Sequence, residues 1–106
     1  MYKSCFQTER QIEKKLVEAV KRMGGIAPKF TSPGFAGMPD RLILLPNGNM
    51  AFAEVKAPGK KPRPLQKVRH EMLKRLGYKV YVIDSVEVIE KILGKIKNVI
   101  NGGDAL

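Results

Sequence analysis

The sequence predicts an α/β fold, a mixed β-sheet flanked by helices with elements in the order α-β-β-α-β-α. Three observations carry this reading. An amphipathic segment of helical period opens the chain, two short apolar runs around a Pro-Asn-Gly-Asn turn follow it, and a helix–strand–helix pattern closes it. A chain of 106 residues leaves no room for two independent cores, so a single domain over 1–106 is expected.

The first helix is expected from about Thr8 to Met23. Thr8 can cap it, and Gly24-Gly25 stops it where a positive φ is needed. Ile12, Leu16, Val17, Ala19, Val20 and Met23 form one stripe, while Lys14, Lys15, Glu18, Lys21 and Arg22 face water. From Gly24 to Pro39 the chain carries Gly and Pro throughout, including Ser32-Pro33-Gly34 and Gly37-Met38-Pro39, which is loop chemistry. A loop of that length is more often functional than idle.

Arg41 to Leu45 and Met50 to Lys56 read as two strands of a hairpin joined by an Asn-Gly turn. In the second strand Phe52, Glu54 and Lys56 share one face, and Ala51, Ala53 and Val55 share the other. Ala57 to Pro64 is a basic, Pro-rich loop, unsuited to helix or central strand. A second helix is expected from Leu65 to Leu76, with Leu65, Val68, Met72, Leu73 and Leu76 inward and Gly77 as its stop. Lys79 to Asp84 is a short β-branched and aromatic strand. Ser85 then caps a last helix carried by Val86, Val88, Ile89, Ile92, Leu93, Ile96, Val99 and Ile100, and the tail from Asn101 to Leu106 is expected to fray.

Composition narrows the function classes. Hydrophobic residues make up 43% and charged residues 28%, ordinary for a globular protein. Twenty Lys and Arg against ten Asp and Glu give a formal net charge of +10, which attracts polyanions, and nucleic acid is the commonest of these. The lone Cys5 excludes an intrachain disulfide and a cysteine metal site. Apolar runs such as Leu42–Leu45 are far too short to span a bilayer, and the N-terminus lacks a signal-peptide core. A soluble cytoplasmic protein is expected, with no membrane partner and no nucleotide cofactor.

The chemistry is concentrated in Gly37-Met38-Pro39-Asp40 and in Glu54-Val55-Lys56, with Glu54 fourteen residues after Asp40. Asp40 opens the first strand and Glu54 stands late in its hairpin partner, so the carboxylates can converge at one end of the sheet. Lys56 lies on the same face as Glu54. Two hard oxygen ligands suit Mg²⁺ or Mn²⁺, which lower the pKa of a bound water and neutralise charge on a phosphate. The lysine can position the attacking water or stabilise the transition state. Taken singly, an Asp in a turn or a Glu-x-Lys in a strand is more often structural. Their combination on a hairpin of a basic protein reverses that balance.

These residues resemble the PD-(D/E)XK nuclease superfamily, with its restriction-endonuclease-like core, and more narrowly the VRR-NUC (virus-type replication-repair nuclease) family. The resemblance rests on Glu9, Gly24-Gly25, Lys29, Ser32-Pro33-Gly34, Gly37-x-Pro39-Asp40, Glu54-Val55-Lys56, Gln66 and Gly77, and covers roughly residues 8 to 90. It implies that Asp40 and Glu54 are metal ligands, that the Val55 carbonyl completes the coordination, and that Lys56 is the catalytic lysine. Glu9 is expected to serve the metal, directly or through water, because it projects toward the middle of the first helix's apolar stripe and occupies the family's helix-one acid position. Glu13, toward the edge of the stripe, is the second choice.

Gln66 would, by the same resemblance, hold a water, the lysine or substrate phosphate near the site. The lone histidine, His70, is expected to face solvent. Lys29, Arg41, Lys60, Lys61, Arg63, Lys67 and Arg69 are candidates for phosphate contacts, which position DNA without reading it. The expected function is therefore metal-assisted endonucleolytic cutting of duplex or branched DNA, structure-selective and similar to Holliday-junction resolution by a homodimer. RNA remains open as a substrate. Phe35, Met38, Met50 and the last helix offer apolar surface for dimerisation. The rival class is a DNA-binding module on a nuclease fold that grips without cutting, against which the intact acidic set argues. A restriction-type enzyme would need recognition elements for which there is no space.

Overall fold

The structure is a computed structural model and describes residues 7–97. The first helix, α1 (Glu9–Arg22), starts where the sequence says it should. The Gln11 amide donates to Thr8 Oγ1 at 3.1 Å and the Thr8 amide donates to Gln11 Oε1 at 2.8 Å, a reciprocal capping box. The helix stops at Met23 and Gly24, the latter at φ +85°. Ile12, Leu16, Ala19 and Val20 are its buried face.

Three strands form the sheet: β1 (Arg41–Leu44), β2 (Met50–Val55) and β3 (Val80–Ile83), in the order β1-β2-β3. β1 and β2 are antiparallel, with Leu42 opposite Phe52, and β2 and β3 are parallel, with Glu54 opposite Val82. The hairpin turns through a 3₁₀ segment, Pro46–Gly48, closed by the Leu45 amide donating to the Asn49 carbonyl at 2.8 Å. Asn47 (φ +67°) and Gly48 (φ +75°) supply the left-handed conformations, so the Asn-Gly turn expected from sequence is present within a slightly longer loop.

The Gly- and Pro-rich stretch before β1 is more ordered than its composition suggests. Ile26 bridges to Leu44 and Lys29 to Arg41, both antiparallel, and the Phe30 amide donates to the Asp40 carbonyl at 2.9 Å. The stretch covers the free edge of β1, which would otherwise expose unpaired backbone. It runs so close that a Cβ on Gly25 would collide with the Leu44 carbonyl.

The core lies on one face of the sheet. Ile43, Ala51, Ala53, Val55 and Ile83 meet the buried stripe of α1 and Ile89, Ile92, Leu93 and Ile96 of α3 (Ile89–Lys97). Ala51 and Ala53 are fully buried and small, which lets both helices lie close to the sheet. α3 begins later than expected: Ser85 does not cap it, and Val86 to Val88 form a turn from which the Ile89 amide bonds back to the Val86 carbonyl at 3.2 Å. Val99, Ile100, the tail and Cys5 lie outside the described residues. Among those described, no helix is long and apolar enough to cross a membrane.

The opposite face carries α2 (Pro64–Arg75), which links parallel β2 and β3 as a crossover. Pro64 is the first helical residue rather than loop, since a proline there forfeits no hydrogen bond. The inward face of α2 departs from expectation. Gln66, His70 and Leu73 are buried, whereas Leu65, Val68 and Leu76 are 45%, 56% and 66% exposed. The helix is rotated because the sheet face beneath it carries Glu54, which polar side chains can satisfy and leucines cannot. Phe30, Phe52 and Tyr78 extend this layer through edge-to-face contacts at 5.8 and 5.9 Å between ring centroids.

Candidate active site

The hairpin register brings the two acids together. Arg41 is paired with Ala53, so the ladder carried one step further sets Asp40 across from Glu54. Asp40 Oδ1 accepts from the Val55 amide at 3.4 Å, which ties the residue before β1 to the strand bearing Glu54. Pro39 is fully buried and fixes the incoming backbone. Gly37 is at φ +90°, and a Cβ there would stand 2.8 Å from Leu65 Cγ and 3.0 Å from the Leu65 carbonyl. The Gly-x-Pro-Asp segment is therefore seated against the first turn of α2, between the helix and the strand end.

Glu54 is buried, at 3% exposure. Its Oε2 accepts from Gln66 Nε2 at 3.1 Å and lies 3.5 Å from Lys56 Nζ. Its Oε1 is enclosed without a hydrogen-bond partner. Desolvation raises the Glu54 pKa, and the charge of Asp40 raises it further, against the lowering influence of Lys56. Asp40 is raised as well, by desolvation first and then by Glu13 and Glu9, against the hydrogen bond from Val55. A cluster of carboxylates that resist ionisation beside one another is electrostatically short of positive charge.

The two helix-one acids have different surroundings. Glu13 Oε2 is 3.2 Å from Arg41 Nη2, so its charge is matched. Glu9 shares the helical face of Ile12 and Leu16 but is exposed, because the first turn of α1 reaches past the end of the core. The expectation that it faces the core is thus corrected. It has no ion-pair partner among the described residues, and its charge still acts on both Asp40 and Glu54.

His70 is a second correction. It is 5% exposed rather than solvent-facing, with Nε2 3.9 Å from Glu54 Oε1. Burial, and then the charges of Lys74 and Lys56, lower its pKa, so the ring is neutral at pH 7 and the contact is not an ion pair. The signal was in the spacing: His70 stands four residues after Gln66, on the same side of one helix.

The basic candidates divide. Lys29, Lys60, Lys61, Arg63 and Lys67 are exposed. Arg41 is turned inward, donating from Nη1 to the Ala27 carbonyl and pairing with Glu13. Arg69 donates from Nε to the Ala36 carbonyl at 2.8 Å and stacks over the Phe35 ring at 3.9 Å. Both arginines brace the loop before Asp40.

Asp40, Glu54 and the Val55 carbonyl are hard oxygen donors of the kind that a divalent cation takes. The mutual repulsion of the acids is consistent with one. Among the described residues no three His, Cys, Asp or Glu side chains converge on one point, so such an ion would complete its shell with water and backbone oxygen.

A hairpin carrying Asp40 against Glu54-x-Lys56, with a parallel third strand reached through a crossover helix, is the core arrangement of the PD-(D/E)XK class. The chain is 54% identical over 80 residues to "Putative nuclease p44" of Acyrthosiphon pisum secondary endosymbiont phage 1, which spans 76% of this chain and 86% of that relative. It is also similar to a solved "VRR_NUC domain" structure, with a TM-score of 0.76 and 31% identity over 83% of this chain and 97% of that one. No protein-family model matches. The chain belongs to the VRR-NUC family.

Proposed function

We propose that the protein is a nuclease that hydrolyses phosphodiester bonds in DNA with the help of Mg²⁺ or Mn²⁺. The observation that carries this reading is the pairing of half-buried Asp40 with buried Glu54 at one end of the hairpin, with Lys56 Nζ 3.5 Å from Glu54. Asp40, Glu54 and the Val55 carbonyl would hold the cation, with Glu9 contributing through water. A cation held there would acidify an attacking water and offset charge on the phosphate. Lys56 holds its ammonium beside Glu54, where it can orient the attacking water and stabilise the pentavalent phosphorus. Gln66 fixes the Glu54 carboxylate through Oε2. Lys29, Lys60, Lys61, Arg63 and Lys67 would take phosphates on either side of the cut.

We further propose that cutting is structure-selective, on branched DNA, and that the working unit is a homodimer. The support for a second copy is the apolar surface left open: Leu65, Val68 and Leu76 on α2, and Phe35 on the loop beside it. The last helix was also expected to contribute; among the described residues its Ile89, Ile92, Leu93 and Ile96 are buried in the core. The test is cleavage of supercoiled plasmid and of a synthetic four-way junction with Mg²⁺, Mn²⁺ or EDTA, comparing wild type with Lys56→Ala and Asp40→Asn. Metal-dependent cutting lost in both variants is expected, with paired symmetric nicks in the junction. Tight DNA binding without cutting under any metal would replace this reading with the binding module.

A further inference from the structure

Gln66 and His70 lie one turn apart on α2 and face the same carboxylate. Gln66 Nε2 donates to Glu54 Oε2, while Oε1 faces His70 Nε2, and both of these last atoms are enclosed without a partner. Two buried acceptors set 3.9 Å apart would repel and leave both unsatisfied, which is costly for enclosed polar groups. A hydrogen on Nε2 converts the same geometry into an attraction. The gap is roughly 1 Å beyond a hydrogen bond, so forming the bond requires a rotation of one of the two side chains.

We propose that His70 is a positioning residue for Glu54: its ring carries the hydrogen on Nε2 and donates it to Oε1, so that α2 holds both carboxylate oxygens. With Gln66 and Lys56 on Oε2 and His70 on Oε1, the carboxylate is held through both oxygens, which restricts rotation of its plane. Ligating carboxylates are oriented by such outer partners, and losing one typically costs about 10–100-fold in metal affinity. The consequence for metal rests on the nuclease reading. The hydrogen bond itself does not.

His70 is the only histidine, so ¹⁵N-histidine labelling reports its two ring nitrogens without assignment. At neutral pH and without metal, Nε2 is expected to resonate as the protonated nitrogen and Nδ1 as the bare one. A hydrogen on Nδ1, or an even mixture of tautomers, would overturn the proposal. In a calorimetric Mn²⁺ titration, His70→Leu should weaken binding about 10-fold or more, while His70→Gln, which keeps an amide hydrogen at similar reach, should recover most of it. Equal losses in both variants, or none in either, would also overturn it. If His70→Leu does not fold, the tautomer and the Gln variant decide. Wild-type protein that neither binds Mn²⁺ nor cuts DNA would remove the nuclease reading, and the tautomer alone would then decide this one.

Discussion

Replacing Gly37 by alanine perturbs the seating of the Asp40 loop without replacing any titratable group. Gly37 sits at φ +90°, where a Cβ costs an L-residue about 1–2 kcal/mol. That Cβ would also lie 2.8 Å from Leu65 Cγ, 2.9 Å from Arg69 Cγ and 3.0 Å from the Leu65 carbonyl. The side-chain neighbours can yield but the backbone carbonyl cannot without moving α2, and overpacking of this kind adds about 1–3 kcal/mol. The expected loss is roughly 2–5 kcal/mol, read by urea denaturation monitored by circular dichroism. Gly34→Ala is the matched control: φ is +81° and nothing lies within 4 Å of the added methyl, so only the backbone cost of about 1–2 kcal/mol remains. The difference between the variants isolates the contact with α2. Equal losses for Gly37→Ala and Gly34→Ala would refute the seating of this loop on the helix.

Three further outcomes are expected. Asp40→Asn should stabilise the metal-free protein at pH 7, because the carboxyl's burial beside other acids disfavours its charge, and this is read as a higher Tm in EDTA. The sign follows from the raised pKa: the folded state holds its proton above the unfolded value of 3.8, so wild-type stability is fullest below that value and falls as pH rises through the folded one. The gain should accordingly vanish near pH 3.8, and a gain unchanged at that pH would refute the assignment. The charge variants should separate by role: Lys60→Gln with Lys61→Gln should reduce the slope of log K against log salt for DNA binding by about 2 at unchanged Tm. Arg41→Gln should instead lower stability by about 1–3 kcal/mol, because it strands Glu13. A lowered salt slope with unchanged Tm for Arg41→Gln would return that residue to the DNA-binding set.

Most of the fold was legible because strand alternation and helix caps are local. Thr8, Asn47-Gly48 and the Ala51/Ala53/Val55 face each act within a few residues and predicted their elements correctly. Asp40, Glu54 and Lys56 were legible as a group because hairpin register converts sequence spacing into proximity. What was not legible depended on contacts between distant segments. The inward side of α2 was assigned by counting apolar residues, whereas Glu54 beneath it turns Gln66 and His70 inward and leaves Leu65 and Val68 outside. Arg41 gave no sign in sequence that Glu13 would claim it, and Glu9 was placed on the correct helical face without its falling beyond the end of the core.

The same partition explains why α2 exposes its leucines. A sheet with α1 and α3 on one face has already used that face for the core, so the acids must stand on the other, and whatever covers them must be polar where it meets them. α2 meets that requirement with Gln66 and His70, and only Leu73 is left for apolar burial among its buried residues. Besides Leu73, the helix is tied to the sheet by hydrogen bonding from Gln66 to Glu54 and by the Gly37 loop seated at its first turn. Its stability and the orientation of the carboxylate are then one property rather than two. A change that loosens α2, even on its exposed side, should therefore also disturb Glu54, because Gln66 is both a buried contact of the helix and a hydrogen-bond partner of the acid.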